Sequence, residues 1–286
     1  MNRTLLSIGH GYSARALARR LRGEGWRIIG TTRSAESARR LAAEGVEARV
    51  WPGEDLGPAL AEATHLLSSV APGPDGDPVL AALGPAIAEA APGLDWAGYL
   101  STTGVYGDHG GDWVDETSPV APSTERGRRR AEAEASWRAI PGLPIHVFRL
   151  AGIYGPGRSA FDRLRAGTAR RIVKRGQVFS RIHVDDIAQV LAASIARPNP
   201  GAVYNVCDDL PAPPEDVIEH AARLLGLPVP PAIPFEEAEL SPMAASFYAE
   251  SKRVRNDRIK EELGVALIHP DYRAGLRALL EAEQAG

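Results

Sequence analysis

Gly9-His10-Gly11-Tyr12-Ser13-Ala14 is the first segment whose residue types and spacing can do chemistry. In a Gly-x-Gly-x-x-Ala turn the first glycine permits a tight bend and the second lets the backbone approach a pyrophosphate. The small third residue allows a helix to pack closely on a strand. Gly9, Gly11, Tyr12, Ser13 and Ala14 are therefore candidate dinucleotide-binding residues, with phosphate on the helix N-terminus. At the end of the next apolar run stand Thr32, Arg33 and Ser34, with no acid before Glu36. A carboxylate there would accept from a ribose 2'-hydroxyl and repel a 2'-phosphate. Arg33, flanked by two hydroxyls, attracts the phosphate instead, so the expected cofactor is NADP, with NAD less favoured. Ser69 and Val70, closing a later apolar run, complete the expected cofactor set.

The elements that must position these residues follow from periodicity. Leu5, Leu6 and Ile8 form a short strand, and Ala14, Leu17, Ala18 and Leu21 recur at the spacing of one helix face. Further strands are expected over Arg27–Thr32, Glu47–Trp51, His65–Val70, Trp96–Ser101, Ile145–Leu150 and Ala202–Val206. Helices are expected over Ala35–Ala43, Val79–Ala90, Glu125–Ile140, Ala188–Ala196 and Glu215–Leu225. Such alternation predicts an α/β fold, a Rossmann doubly wound parallel sheet, with a small C-terminal substrate lobe. The expected boundaries are a dinucleotide-binding domain over 1–155, rejoined by elements from 181–226, and a lobe over 156–180 and 227–286, whose stretch from Phe235 to Tyr248 offers candidate pocket walls.

Four segments carry a family resemblance: Ser101-Thr102-Thr103-Gly104-Val105-Tyr106-Gly107, Phe148 to Gly157, Arg181 to Ala188, and Tyr204 to Asp209. In order and spacing they resemble the extended short-chain dehydrogenases/reductases, the NAD-dependent epimerase/dehydratase group. The resemblance implies that Thr102 polarises a substrate oxygen, working with a Tyr-x-x-x-Lys pair on the next helix. Counting back from Glu132, as the glutamate that follows the lysine, puts that pair at Thr124 and Arg128. This implies an atypical member lacking the pair, in which Arg128 still holds the nicotinamide ribose. Thr124 has an aliphatic hydroxyl that cannot ionise near neutral pH as a phenol can. Pro122-Ser123-Thr124-Glu125 also reads as a helix N-cap with an acidic first turn. Tyr106, Tyr154 and His183 are alternative proton donors. The catalytic set so read is Thr102, Tyr106, Thr124 and Arg128. No metal is expected, because Asp185 or Asp186 beside His183 serves more simply as a helix cap.

Two function classes follow. One is an NADP-dependent oxidoreductase, or an epimerase or dehydratase, acting on a small hydroxyl- or carbonyl-bearing metabolite. The other is a non-catalytic NADP-binding sensor. With one cysteine among 286 residues and a net charge of −3, neither a disulfide framework nor a general affinity for nucleic acid is expected. The arginines from Arg126 to Arg130 are interleaved with Glu125, Glu132 and Glu134, which predicts a self-paired solvated face. No apolar run reaches membrane-spanning length, so a cytoplasmic monomer or homodimer with a small-molecule substrate is expected.

Overall fold

The structure, a computed structural model, describes residues 3–285. Seven parallel strands form the central sheet: β1 (Thr4–Ile8), β2 (Arg27–Thr32), β3 (Glu47–Val50), β4 (His65–Ser68), β5 (Trp96–Thr102), β7 (Ile145–Leu150) and β11 (Val203–Val206). Their spatial order is β11-β7-β5-β4-β1-β2-β3. The chain winds outward from β1 through β2 to β3, then crosses to β4 on the other side. A crevice therefore opens at the C-terminal ends of β1 and β4, the place where ligands bind in such sheets. Short parallel pairs flank the sheet: β6 (Trp113–Val114) with β13 (Arg253–Val254), β8 (Gly152–Tyr154) with β10 (Arg181–His183), and β9 (Arg171–Val173) with β12 (Ala232–Pro234).

Helices cover both faces, which is why the strands read as continuous apolar runs rather than alternating ones. On one face α1 (Tyr12–Arg22) and α7 (Val184–Ala196) bury Leu17, Leu21, Ile187 and Leu191 against Leu5 and Leu67. On the other, α4 (Pro78–Ala90) and α5 (Glu125–Arg138) contribute Ile87 and Trp137 over Leu66 and Tyr99. The Trp137 indole donates to Asp77 Oδ2 at 2.9 Å, so this large ring is buried without orphaning its N–H. The helix expected over Ala188–Ala196 starts four residues earlier, at Val184, and its N-cap is His183 rather than Asp185 or Asp186.

The small lobe has its own apolar cluster. Phe161 from α6 (Ala160–Arg165), Ile218 from α8 (Pro214–Leu224) and Leu276 from α11 (Tyr272–Ala285) meet there. Helix α8, expected among the elements that rejoin the sheet, packs on α6 and α11 because Val217, Ile218 and Ala221 face Phe161 and Tyr272. Helix α11 was not anticipated, although Tyr272, Leu276 and Leu279 fall at i, i+4 and i+7.

Candidate active site

The dinucleotide turn is held from three sides. Thr31 Oγ1 accepts from Gly9 N at 2.8 Å, Thr31 O accepts from His10 N at 2.9 Å, and Ser69 Oγ donates to Gly9 O. Gly9 has φ +78°, and a Cβ added there would lie 2.8 Å from Val70 Cγ2, so only glycine fits beneath this strand end. Helix α1 starts on Gly11 with no side-chain cap and no acid in its first turn. Its leading N–H groups thus remain available to an anion. These features fit a dinucleotide pyrophosphate. Ser13 and Ala14 are buried in that turn, whereas Tyr12 is half-buried and donates its hydroxyl to Pro156 O at 3.0 Å. His10 is held near pKa 4, chiefly by burial and then by Arg15.

At the end of β2, Ser34 caps α2 (Ala35–Ala43), accepting from Ser37 N at 3.2 Å. Arg33 is exposed and, among the described residues, has no ion-pair or hydrogen-bond partner. Thr32 is half-buried and its carbonyl accepts from Trp51 N.

Thr102 closes β5 with its Oγ1 accepting from Gly104 N at 3.2 Å, and Thr124 caps α5 with its Oγ1 accepting from Gly127 N at 3.2 Å. Both hydroxyls keep their own proton for another partner, and both line a cleft of about 680 Å³. Arg128 does not. It stands 51% exposed on the outer side of α5, donating from Nε to Glu125 at 3.1 Å. The reason is helix register. Glu134, not Glu132, is the glutamate that anchors α5 to the sheet: it accepts from Ser101 Oγ and pairs with Arg149 at 2.8 Å, both side chains 4% exposed. Counting back from Glu134 puts Arg126 and Arg130 at the two inward positions. Arg126 lines the cleft, and Arg130 donates to Leu100 O at 2.7 Å and Tyr99 Oη at 3.1 Å. The basic run is therefore only partly the self-paired face that was expected. Arg128 and Arg129 pair with Glu125, whereas Arg126 and Arg130 turn inward.

Tyr106 is also removed from the cleft. It is fully buried, donates to Asn205 Oδ1 at 2.7 Å, accepts from Arg149 Nη1 at 3.0 Å, and burial pushes it up to about 12. A phenol so enclosed cannot reach a substrate. Tyr154 borders the cleft but points its hydroxyl at Asp271 O, 3.4 Å away, and burial raises its pKa. His183 caps α7, its Nδ1 accepting from Asp185 N at 3.2 Å. His183, Asp186 and His269 have potential ligand atoms within 4.8 Å of one another. However, the two Asp186 oxygens already accept from Ile268 N and His269 N.

The other wall of the cleft comes from the C-terminal part of the chain, where Phe247 and Tyr248 fall within the stretch expected to supply pocket walls and Glu250 and Lys252 lie just beyond it. It includes Phe247, Tyr248, Glu250 and Lys252. Tyr248 and Lys252 have Tyr-x-x-x-Lys spacing, so this spacing is present, though not on the helix where it was sought. Among the described residues no hydrogen bond joins the two side chains. Tyr248 lies against Phe179 and Phe235, while Lys252 Nζ donates to Gly107 O and Glu250 Oε2, each at 2.7 Å. No signal short of the tertiary fold marks this segment as facing Thr102.

No family model matches the chain. Protein YeeZ of Escherichia coli K12 is 33% identical over 175 residues, 60% of this chain and 58% of that protein. A 3-diazoavenalumate denitrifying reductase of a Streptomyces species is 30% identical over 177 residues, 57% of this chain and 55% of that protein. The matched segments thus span little more than half of these two relatives. Among solved structures, a conserved protein of Silicibacter pomeroyi of unknown function is 62% identical, with a TM-score of 0.95, over 99% of this chain and 100% of that one. A protein described as an NAD-dependent epimerase/dehydratase of Methylobacillus flagellatus is 27% identical, with a TM-score of 0.74 over 99% of both chains. The dTDP-glucose 4,6-dehydratase of Bacillus anthracis in complex with NAD has a TM-score of 0.78 at 17% identity, over 99% of this chain and 97% of that one, a likeness of fold. The chain belongs to the family of the S. pomeroyi protein, and its fold is that of the NAD-dependent epimerase/dehydratase proteins, in keeping with the resemblance of its motifs to the extended short-chain dehydrogenases/reductases.

Proposed function

We propose that this protein is an NADP-dependent oxidoreductase acting on a small carbonyl- or hydroxyl-bearing molecule. The observation that carries the reading is the cleft at Thr102 and Thr124, two hydroxyls free to donate hydrogen bonds, at the same C-terminal end of the parallel strands as the uncapped start of α1. Gly9, Gly11, Ser13 and Ala14 would seat the pyrophosphate, and Ser69 and Val70 would brace the turn. Arg33 would meet a 2'-phosphate, since it is exposed and unpaired while Ser34 is engaged as a cap. The cofactor would supply hydride chemistry. Thr102 would hydrogen-bond the reacting oxygen. The NAD carried by the Bacillus dehydratase and the reductase named in the Streptomyces relative support a nicotinamide cofactor and a reduction.

A second reading, dinucleotide binding without catalysis, is favoured by the fate of the expected proton donors. Tyr106 is sealed in the core and Thr124 is a helix cap. Calorimetric titration with NADPH and NADH tests the shared part. NADPH binds at least tenfold more tightly than NADH, and Arg33→Asp removes that preference, about 1.4 kcal/mol. If neither nucleotide binds, both readings fall. If NADPH binds but is not consumed with any member of a carbonyl panel, the second reading replaces the first.

A further inference from the structure

We infer that the substrate of this cleft is an anion, a carboxylate attached to an apolar or aromatic frame, and that Arg126 holds its charge beside Thr102. The inference rests on the oxidoreductase reading and adds the substrate class.

Charge on the cleft walls is unbalanced. Its two carboxylates are both engaged: Glu250 with Lys252 and Ser123, and Asp162 with Ser159 N and Oγ in a capping box. Among the cations, Lys252 is answered by Glu250, and Arg181 donates to Phe179 O and Ala212 O. Arg126, Arg158 and Arg163 line the same cleft with no carboxylate in ion-pair contact among the described residues; Glu250 acts on Arg126 only from a longer distance, and is itself paired with Lys252. Arg158 stands over the Tyr12 ring, 5.8 Å from its centroid, next to the dinucleotide turn, so the pyrophosphate accounts for it. Arg126 has no such explanation.

Arg126 is preorganised. Its guanidinium lies over the Phe247 ring, 4.9 Å from the centroid. It follows the Thr124 cap by two residues, and the next residue, Gly127, packs α5 so tightly that an added Cβ would lie 2.6 Å from Gly104 O. The helix is thereby pinned against the turn after Thr102, which fixes where Arg126 emerges. Guanidinium cannot give up its proton in this pH range, so Arg126 is a charge and a fork of donors rather than an acid. A planar carboxylate matches that fork. Phe179, Phe247 and Tyr248 form the neighbouring walls and suit an aromatic or extended apolar body.

The test is calorimetric binding of cinnamate and its neutral isostere cinnamamide, with and without NADPH, to the wild type, Arg126→Gln and Arg126→Lys. The wild type binds cinnamate at least tenfold more tightly than cinnamamide. Arg126→Gln abolishes the difference, Arg126→Lys keeps part of it, and the NADPH affinity of both variants stays within about twofold of wild type, a difference that shows α5 still folded. Equal binding of acid and amide, or a preference surviving Arg126→Gln, overturns the inference. So does an absence of cinnamate binding at millimolar concentration, or tighter Arg126-dependent binding of uridine diphosphate. If cinnamate binds as expected and NADPH does not, it is the oxidoreductase reading that fails.

Discussion

Glu134 and Glu132 are two residues apart on α5, and their sequence neighbours do not distinguish them. In a helix they point about 200° apart, so one meets the sheet and the other meets solvent. Glu134 closes a buried network with Ser101, Arg149 and, through Arg149, Tyr106 and Asn205. Glu132 is exposed. Removing one partner of a buried ion pair strands the other charge, so Glu134→Ala costs about 3–5 kcal/mol, whereas Glu132→Ala changes stability by no more than about 0.5 kcal/mol. Urea unfolding of the two variants measures this, and equal effects would return Thr124 and Arg128 to the inward register. The dinucleotide turn was legible because its glycines act locally: the positive φ of Gly9 is a property of the turn itself. The register of α5 was not, because it depends on a partner, Arg149, 15 residues away on strand β7.

Helix α5 shows how one element serves both stability and site. Thr124 satisfies a leading N–H, Glu125 adds an acid to the first turn, and the stacked Trp137 and Tyr99 rings fix the far end. Loss of the cap in Thr124→Ala costs about 1 kcal/mol, lowering the melting temperature by about 2–4 °C. Thr124→Ser restores it, and NADPH affinity is unchanged in both. Thermal melts with parallel NADPH titrations check this, and a loss of cofactor binding in Thr124→Ala alone would make the hydroxyl part of the cofactor site. The cap was visible in the sequence as Ser-Thr-Glu before a helical run. The resemblance also put Thr124 in the catalytic set, and it does line the cleft; that Glu250 and Lys252 join it there was not visible, since they arrive from the far end of the chain.

Across the whole molecule, burial of neutral imidazoles ties stability to pH. His10, His65 and His183 are each held near pKa 4, chiefly by desolvation, against 6.5 in an unfolded chain. Between these values the unfolded state binds protons that the folded state refuses. Stability is therefore fully present above about pH 6.5 and falls as the pH drops towards 4, by up to about 1.4 kcal/mol per pH unit for each histidine. Melting temperatures at pH 7, 5.5 and 4.5 should decline steadily, and His65→Gln should flatten the decline; a flat profile in the wild type would mean that these rings are solvated. The same contrast of local and global separates what each level of description decides. Strand, turn and helix at the N-terminus, the alternation that makes a parallel sheet, and the absence of an acid after β2 are contiguous in the chain, so the sequence alone determined them. That Thr102 shares a cleft with a wall containing Phe247 and Lys252 is a tertiary fact, secured by contacts such as Lys252 to Gly107 across 145 residues. Periodicity reports which face of an element is apolar, and carries no record of which distant segment comes to cover it.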